Sequence, residues 1–421
     1  MKLALMARAV LRRYQPVVIM ITGSVGKTST KDAIAAVVRE QFYMRASEKS
    51  YNSEFGVPLT ILGAKNPWAH PMYWIRTFFE GWKLLLLANH YPKVLVLEVG
   101  ADRPGDLARI LKIATPDVVV VTQLPALPVH VEAYAGPAAV REEEFAPAYA
   151  LAPETPLIIS SDDTYARALA APLSAQVSMF GAHADARVRI TEEKLHCEDG
   201  VPVGMSCVLL VDGKSYPLIV RGALGRPQLL APAAAVLTGL ALGMDIETCM
   251  KGAQSYMPPP GRGRILGGIN KSVLIDDSYN ASPAAVEEGI QSLTLLAKSI
   301  SKARTIAVLG DMLELGRYSH EEHEKIGVLA AKKVDLLVTV GVRARTIAAS
   351  AKAAGMQEDM VQSFSTPKET ADYLLGILTW KDVVLIKGSQ SVRTEKVVEA
   401  LLADPADRAH LVRQDKEWRA R

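Results

Sequence analysis

The sequence predicts an α/β protein with two parts. The first is a central domain built on a phosphate loop (P-loop) and carrying a small β-rich portion; a Rossmann-like C-terminal α/β domain follows. Three observations predict this. Strand-length apolar runs alternate with helical patterns over most of the 421 residues, as in parallel sheets covered by helices. One of these strands leads directly into a glycine turn and then Lys27-Thr28 at a helix start. The stretch 257–263, MPPPGRG, is a stiff Pro/Gly break, and a second α/β pattern begins beyond it. The chain is too long for one ordinary core, so the break divides it into 1–258 and 259–421.

Composition narrows the class. Apolar residues make up 49% and charged residues 22%, the balance of a globular enzyme rather than a disordered chain. A net charge of +3 without an aromatic-interleaved basic stripe predicts no nucleic-acid partner. Three cysteines without metal-type spacing suit a reducing compartment, so a cytoplasmic location is expected.

In chain order, residues 1–16 are basic and amphipathic. Their apolar run, 3–7, is broken by Arg8 and is too short for a signal-peptide core, so a helix leading into the first strand is expected. Strands are expected at 17–22, 93–99, 117–122 and 156–161. Between the first two lies an amphipathic aromatic insertion, 64–92. Within it, 72–89 places Arg76, Glu80 and Lys83 in one stripe beside an apolar face with Trp74, Phe78, Phe79, Trp82 and Leu85. Such a helix packs on its own protein or a partner, or rests on a membrane surface. Residues 177–220 read as short alternating strands with turns such as Asp212-Gly213, and 229–242 as an alanine-rich helix closed by Gly243. Beyond the break, strands are expected at 272–275, 305–309, 336–340 and 382–386. The later three end at Gly310, Gly341 and Gly388, where doubly wound sheets place ligand loops. In SHEEHEKIG (319–327), His320 and His323 are three apart, which does not fit a zinc helix of HExxH type. Ser319 and Glu322 read instead as a capping box.

The segment 17–29, VVIMITGSVGKTS, has what phosphate binding needs. Gly23, Ser24, Val25 and Gly26 are small enough to let backbone N–H groups approach oxygens, and the helix starting at Lys27, Thr28 and Ser29 favours negative charge. Lys27 would reach the outer phosphates of ATP and Thr28 would hold Mg²⁺. Ile21 occupies the first glycine position of the usual GxxxxGK[ST], making this a variant loop. A kinase, an ATPase and a ligase all remain open from the loop alone.

The string ITGSVGKTSTK (21–31) resembles the nucleotide loop of the Mur ligases, which build the peptide of bacterial cell-wall precursors. Further strings similar to that family follow in order: YNSEFGVPLTIL (51–62), LEVGADRPGDL (97–107), IDDSYNASP (275–283), LGDMLELG (309–316) and IKGS (386–389). The last three are most similar to the branch joining D-alanyl-D-alanine to UDP-N-acetylmuramoyl-tripeptide. The resemblance implies an ATP- and Mg²⁺-dependent ligase that activates a carboxylate donor as an acyl phosphate, which an amino-acid or dipeptide amine then attacks. It implies catalytic roles for Lys27, Glu98, His130 and Glu144, with Thr28, Glu98 and His130 on metal. It further implies nucleotide contacts from Arg262, Asp277, Tyr279 and Asn280, closing over ATP from the second domain. Asn52, Asp311, Glu314, Lys387 and Ser389 would meet substrate.

The chain departs from the family pattern at four places. Only about twenty residues precede Gly23, so the N-terminal UDP-binding domain is expected to be missing. The family's carbamylated lysine has no counterpart, since no lysine lies between Lys112 and Lys194. Glu144, in VREEEFAP, falls at or next to that position, as a substitute anion or as part of a solvated helix face. The family's histidine run is here QLPALPVH, ending at His130. Ala231 or a neighbour replaces an adenine-contacting asparagine. Two alternatives therefore stay open: a ligase on another substrate, lipid-linked or folylpolyglutamate-like, and a nucleotide-binding partner without catalysis.

Overall fold

The computed structural model describes residues 2–48, 51–65, 71–415 and 418. It divides into two compact units. One comprises Met1–Glu192, Cys207–Leu218 and Leu229–Met257; the other comprises Glu193–Ser206, Ile219–Gln228 and Pro258–Arg421.

In the first unit, α1 (Lys2–Tyr14) leads into β1 (Val17–Thr22), followed by α2 (Lys27–Arg39), β2 (Met44–Ala46), α3 (Gly56–Leu62), α4 (Pro71–Leu86) and β3 (Val94–Glu98). Then come α5 (Asp106–Leu111), β4 (Val118–Val121), α6 (Pro137–Tyr149), β5 (Pro156–Ser160), α7 (Thr164–Ala170) and β6 (Gln176–Gly181). The strands order β2-β3-β1-β4-β5-β6, and neighbouring strands among them pair in parallel. β1, β3 and β4 are runs of Val, Ile and Leu buried almost throughout, as central parallel strands covered on both faces must be. β7 (Val188–Glu198) pairs parallel to β6, and β8 (Val201–Val211) and β9 (Lys214–Arg221) continue the sheet. The β-rich portion thus consists of the strands β7, β8 and β9. Its two turns, Asp199-Gly200 and Asp212-Gly213, hold positive φ at both residues, matching the twist of a two-residue hairpin.

The N-terminal helix forms as expected and buries Leu3, Met6, Ala7 and Val10. It seats α4. A Cβ on Gly81 would stand 2.0 Å from the Met6 sulfur, so glycine permits the close approach of the two helices. The Tyr14 hydroxyl donates to the Leu84 carbonyl at 2.7 Å, and Arg13 donates to the Leu85 and Leu87 carbonyls at the end of α4. The apolar face expected of this helix splits. Trp74, Phe78 and Leu85 pack inward, while Phe79 and Trp82 are exposed.

α8 (Pro227–Ala241) and α9 (Ile246–Gln254) complete the layer around α2. Here a Cβ on Gly252 would meet the Val37 Cα at 2.4 Å and the Ala36 carbonyl oxygen at 2.9 Å. Backbone cannot step aside as a side-chain tip can. Gly252→Ala is therefore expected to destabilise the protein by about 2 kcal/mol or more, read as a lower denaturant midpoint at unchanged slope.

The second unit holds β10 (Arg264–Gly267), β11 (Val273–Asp277), β12 (Arg304–Gly310), β13 (Leu336–Val340), β14 (Val361–Phe364) and β15 (Asp382–Lys387), in the order β10-β11-β15-β12-β13-β14. All pairings are parallel except β10 with β11. The helices α10 (Pro283–Ser299), α11 (Ser319–Lys333), α12 (Ala344–Ala353), α13 (Pro367–Ile377) and α14 (Glu395–Leu401) alternate with the later strands. Ile306, Val308, Val338, Val384 and Ile386 anchor the core. The capping box expected at Ser319 and Glu322 does not form. A 3-10 turn, Gly316–Tyr318, runs into α11, Tyr318 takes the N-cap position without a side-chain bond, and Glu322 pairs with Lys325 instead.

Candidate functional site

β1 stays in register with β3 and β4 as far as Ile21 and Thr22. The first glycine position of the usual loop is thus an in-strand, buried residue, and no glycine is required there. Gly23 is required: its φ is +118°, and a Cβ would lie 2.4 Å from the Thr122 hydroxyl oxygen. Gly26, at φ +88°, is the left-handed N-cap of α2. The loop is held by the Ser24 amide donating to the Gln123 carbonyl at 2.8 Å, and by a bridge between Val25 and Gln123. Thr28 and Ser29 are buried in the first turn of α2. Lys27 folds back to donate to the Gly23 carbonyl oxygen.

The sequence leaves open what the acidic run in α6 does. The structure gives each member a different task. Glu142 is bonded by the Tyr149 hydroxyl. Glu143 accepts from the Gly105 and Leu107 amides, each at 3.0 Å, at the start of α5. Glu144 is 2% exposed and points into the phosphate loop. Its carboxylate accepts from the Ser24 hydroxyl and lies 4.0 Å from the Lys27 ammonium, while its carbonyl accepts from Thr22. The solvated-face reading of Glu144 is thereby overturned: sheet and loop enclose it.

Burial pushes the Glu144 carboxyl above its ordinary range, opposed by Lys27, the Ser24 hydrogen bond and His130. The folded protein therefore binds this proton more tightly than the unfolded chain. The associated stability is present at low pH and is lost as pH rises from the ordinary carboxylate range through the folded value. Glu144→Gln, which removes the ionisation, is expected to melt higher than the parent at pH 7. The difference should close below about pH 4, as thermal scans across pH would read.

A polar corner around Thr28 and Glu98 lies nearby. The Thr28 hydroxyl donates to the Glu98 carboxylate at 3.3 Å, the Ser47 hydroxyl accepts the Glu98 amide at 3.2 Å, and the Ser47 carbonyl accepts from Lys31. Among the described residues no group of three or more His, Cys, Asp or Glu could hold a metal. A hydroxyl and a carboxylate beside a phosphate loop nevertheless fit Mg²⁺, which takes few protein oxygens and completes its shell with water and phosphate. Asn52 stands at the same mouth. Its carbonyl accepts from Gly100, and a Cβ on Gly100 would touch both the Asn52 amide and the Lys27 stem. His130 adopts φ +63° and lies 3.6 Å from Asp102.

A second cluster sits wholly in the second unit, at the carboxyl ends of β11, β12 and β15. Asp277 and Lys387 are register partners, and the ammonium bonds the carboxylate at 2.7 Å and the Asn280 carbonyl at 3.0 Å. The Ser389 hydroxyl accepts the Leu313 amide at 2.9 Å. Arg262 stacks on Tyr279 at 3.9 Å from the ring centroid. Asp311 has a structural task, since its carboxylate accepts the Ala344 amide at the start of α12. Glu314 holds a positive φ in the following loop.

Several supports of this cluster carry no local signature in the sequence. His323, fully buried, accepts the Met312 amide at Nε2 while its Nδ1 faces the Ser319 carbonyl at 2.6 Å, so it props the loop that bears Asp311. Burial lowers its pKa, keeping the ring neutral. Arg413 bonds the Ser278 and Tyr279 carbonyls and pairs with Glu395, which Arg393 also meets. Nothing in local spacing links Arg413 to Tyr279, which lie 134 positions apart.

Comparison with known proteins joins these observations. The Mur ligase middle domain matches residues 21–226, and the Mur ligase glutamate ligase domain matches 261–390. The UDP-N-acetylmuramoyl-tripeptide--D-alanyl-D-alanine ligase of Bacillus subtilis is 25% identical over 404 residues, covering 95% of this chain and 79% of the relative. That of Synechocystis is 28% identical over 394 residues, covering 93% and 76%. MurF ligase from Thermotoga maritima, solved with ADP, superposes with a TM-score of 0.77 at 24% identity over 95% of this chain and 82% of that one. Folylpolyglutamate synthase from Mycobacterium tuberculosis reaches 0.65 at 15% identity over 95% of each, a likeness of fold. With both domain models matched in succession and relatives similar along nearly its whole length, the chain belongs to the Mur ligase family.

Proposed function

We propose that this chain is an ATP-dependent amide ligase that joins D-alanyl-D-alanine to a UDP-N-acetylmuramoyl-tripeptide in peptidoglycan synthesis, in a cytoplasmic setting. The observation that carries the ligase reading is the convergence of Lys27, Ser24 and Glu144 on one phosphate loop. The names of the relatives support the choice of substrates.

The chemistry asks the protein for positioning and charge rather than covalent help. A carboxylate oxygen of the donor attacks the γ-phosphorus of ATP, and ADP leaves. The acceptor amine attacks the resulting acyl carbon, and inorganic phosphate leaves with the donor's original oxygen while the amine sheds a proton. Lys27 neutralises charge on the transferred phosphoryl group. Thr28, Glu98 and His130 are the proposed Mg²⁺ ligands, and the metal would supply positive charge to phosphate oxygens. Glu144 holds Ser24 and Lys27 in place and supplies the anion that a carbamylated lysine would otherwise provide. Gly23, Ser24, Val25, Gly26 and Ser29 present the backbone of the loop, and Asn52 meets the donor. In the second unit, Arg262, Asp277, Tyr279 and Asn280 are assigned to nucleotide, and Asp311, Glu314, Lys387 and Ser389 to the acceptor. Asp311 acts there chiefly by shaping the loop.

The test is ADP and amide formation over a panel of donors and acceptors. Turnover requiring UDP-muramoyl-tripeptide and D-alanyl-D-alanine supports the proposal. Turnover with folate and glutamate replaces its substrates. ATP binding without turnover on any pair contradicts the ligase reading.

A further inference from the structure

α4 carries apolar residues on two opposite faces, and among the described residues one is covered while the other is exposed. Trp74, Thr77, Phe78, Gly81, Leu84 and Leu85 lie toward the protein. Along the other side Met72 (80% exposed), Ile75 (70%), Phe79, Trp82 and Leu86 (72%) recur at three- and four-residue spacing, which makes one stripe on an α-helix. Leu87 extends it. No helix among the described residues is long and apolar enough to cross a membrane, and α4 has only 16 residues.

The rim of this stripe carries two cations, Arg76 and Lys83, and one acid, Glu80, which lies 3.2 Å from the Lys83 ammonium. The Lys83 ammonium lies over the Phe79 ring at 4.8 Å, and Arg76 is exposed one turn earlier. Arg13 reaches from α1 to the Leu85 and Leu87 carbonyls, setting a guanidinium at the end of the stripe. α1 itself presents Lys2, Arg8, Arg12 and Arg13, all exposed, and contains no acid. The two helices together hold six of the chain's 48 basic residues and one of its 45 acidic ones, so acids outnumber bases 44 to 42 elsewhere. The positive charge of the whole chain therefore resides in this pair.

From these observations we propose that α1 and α4 form a platform seating the protein on an anionic lipid surface. The stripe enters the boundary between headgroups and acyl chains, and the flanking cations meet lipid phosphates. Charge selects this occupant over a second copy of the chain, because self-association through the stripe would bring two rims of net positive charge together. The platform makes no use of the phosphate loop, so its test stands apart from that of the ligase reading.

Flotation of the full chain with vesicles of phosphatidylglycerol and phosphatidylcholine tests it, with phosphatidylcholine alone as comparison. Binding is expected to the anionic vesicles, at least about tenfold weaker to the neutral ones, and to fall at about 1 M salt, where screening acts within ~3 Å. Phe79→Ser/Trp82→Ser should lose binding while keeping the parent's melting temperature and ATP turnover. Arg8→Glu/Arg12→Glu should lose the preference for anionic lipid. The proposal is overturned by absence of flotation or by binding that survives the double serine change. It is equally overturned if sedimentation shows a concentration-dependent dimer that the same change dissolves.

Discussion

Replacement of Lys27 by alanine is expected to lower ATP-dependent phosphate release by roughly a thousandfold or more, because the charge it supplies is needed only as the phosphoryl group moves. The side chain is mostly enclosed by the loop it serves, bonded to the Gly23 carbonyl and 4.0 Å from Glu144. Neither contact holds up the sheet, since β1 is fixed by its pairing with β3 and β4. A near-parental melting temperature should therefore accompany the loss. Lys27→Met, which keeps the apolar stem, should be equally inactive. Single-turnover phosphate release read beside a thermal scan distinguishes this from simple unfolding. Retained turnover in a folded Lys27 variant would remove the loop from the chemistry.

The second large effect is expected at Glu144, where stability and activity should move in opposite directions. Glu144→Gln preserves the shape of the side chain and an acceptor for Ser24, and it relieves the burden of a buried carboxylate. It should melt higher than the parent at neutral pH yet turn over about a hundredfold more slowly, the scale of losing one preorganised charge in an active site. Glu144→Ala should lose at least as much activity and also some stability, because it leaves a void beside Ser24 and Lys27. No variant or parent should respond to added bicarbonate, since no lysine lies between Lys112 and Lys194 to be carbamylated at the Glu144 position. A glutamine variant that is both stabilised and fully active would reduce Glu144 to a structural residue. Sites built for function commonly carry this opposition of stability and activity.

What could be read in the sequence follows physical scale. Buried parallel strands announce themselves as β-branched runs, and 17–22 and 336–340 coincide with β1 and β13. β10 and β14 give no such signal. Each is only four residues long at a sheet edge, too short for a period to register. The loop was legible because its parts are contiguous: strand, Gly23, Gly26, Lys27. The partner of Ser24 was not, because Glu144 is 120 positions away and is aimed by α6. α4 shows the same limit from another side. Its periodicity revealed aromatic faces, but the half that is covered depends on Met6 and Tyr14 of α1. Ser319 and Glu322 matched a capping pattern, yet the preceding 3-10 turn claimed the helix start. Asp311 stood out by its place at a strand end beside a glycine, and the fold employs it to cap α12.

The ligase reading rests on the donor carboxylate becoming an acyl phosphate at the Lys27–Glu144 loop, and isotope transfer measures that step. UDP-N-acetylmuramoyl-tripeptide labelled with ¹⁸O in its terminal carboxylate would be turned over with ATP and D-alanyl-D-alanine, and the released phosphate analysed by mass. One ¹⁸O from the donor should appear in each phosphate released alongside ADP and amide. Unlabelled phosphate formed together with amide product would contradict the acyl phosphate and, with it, the role assigned to the loop.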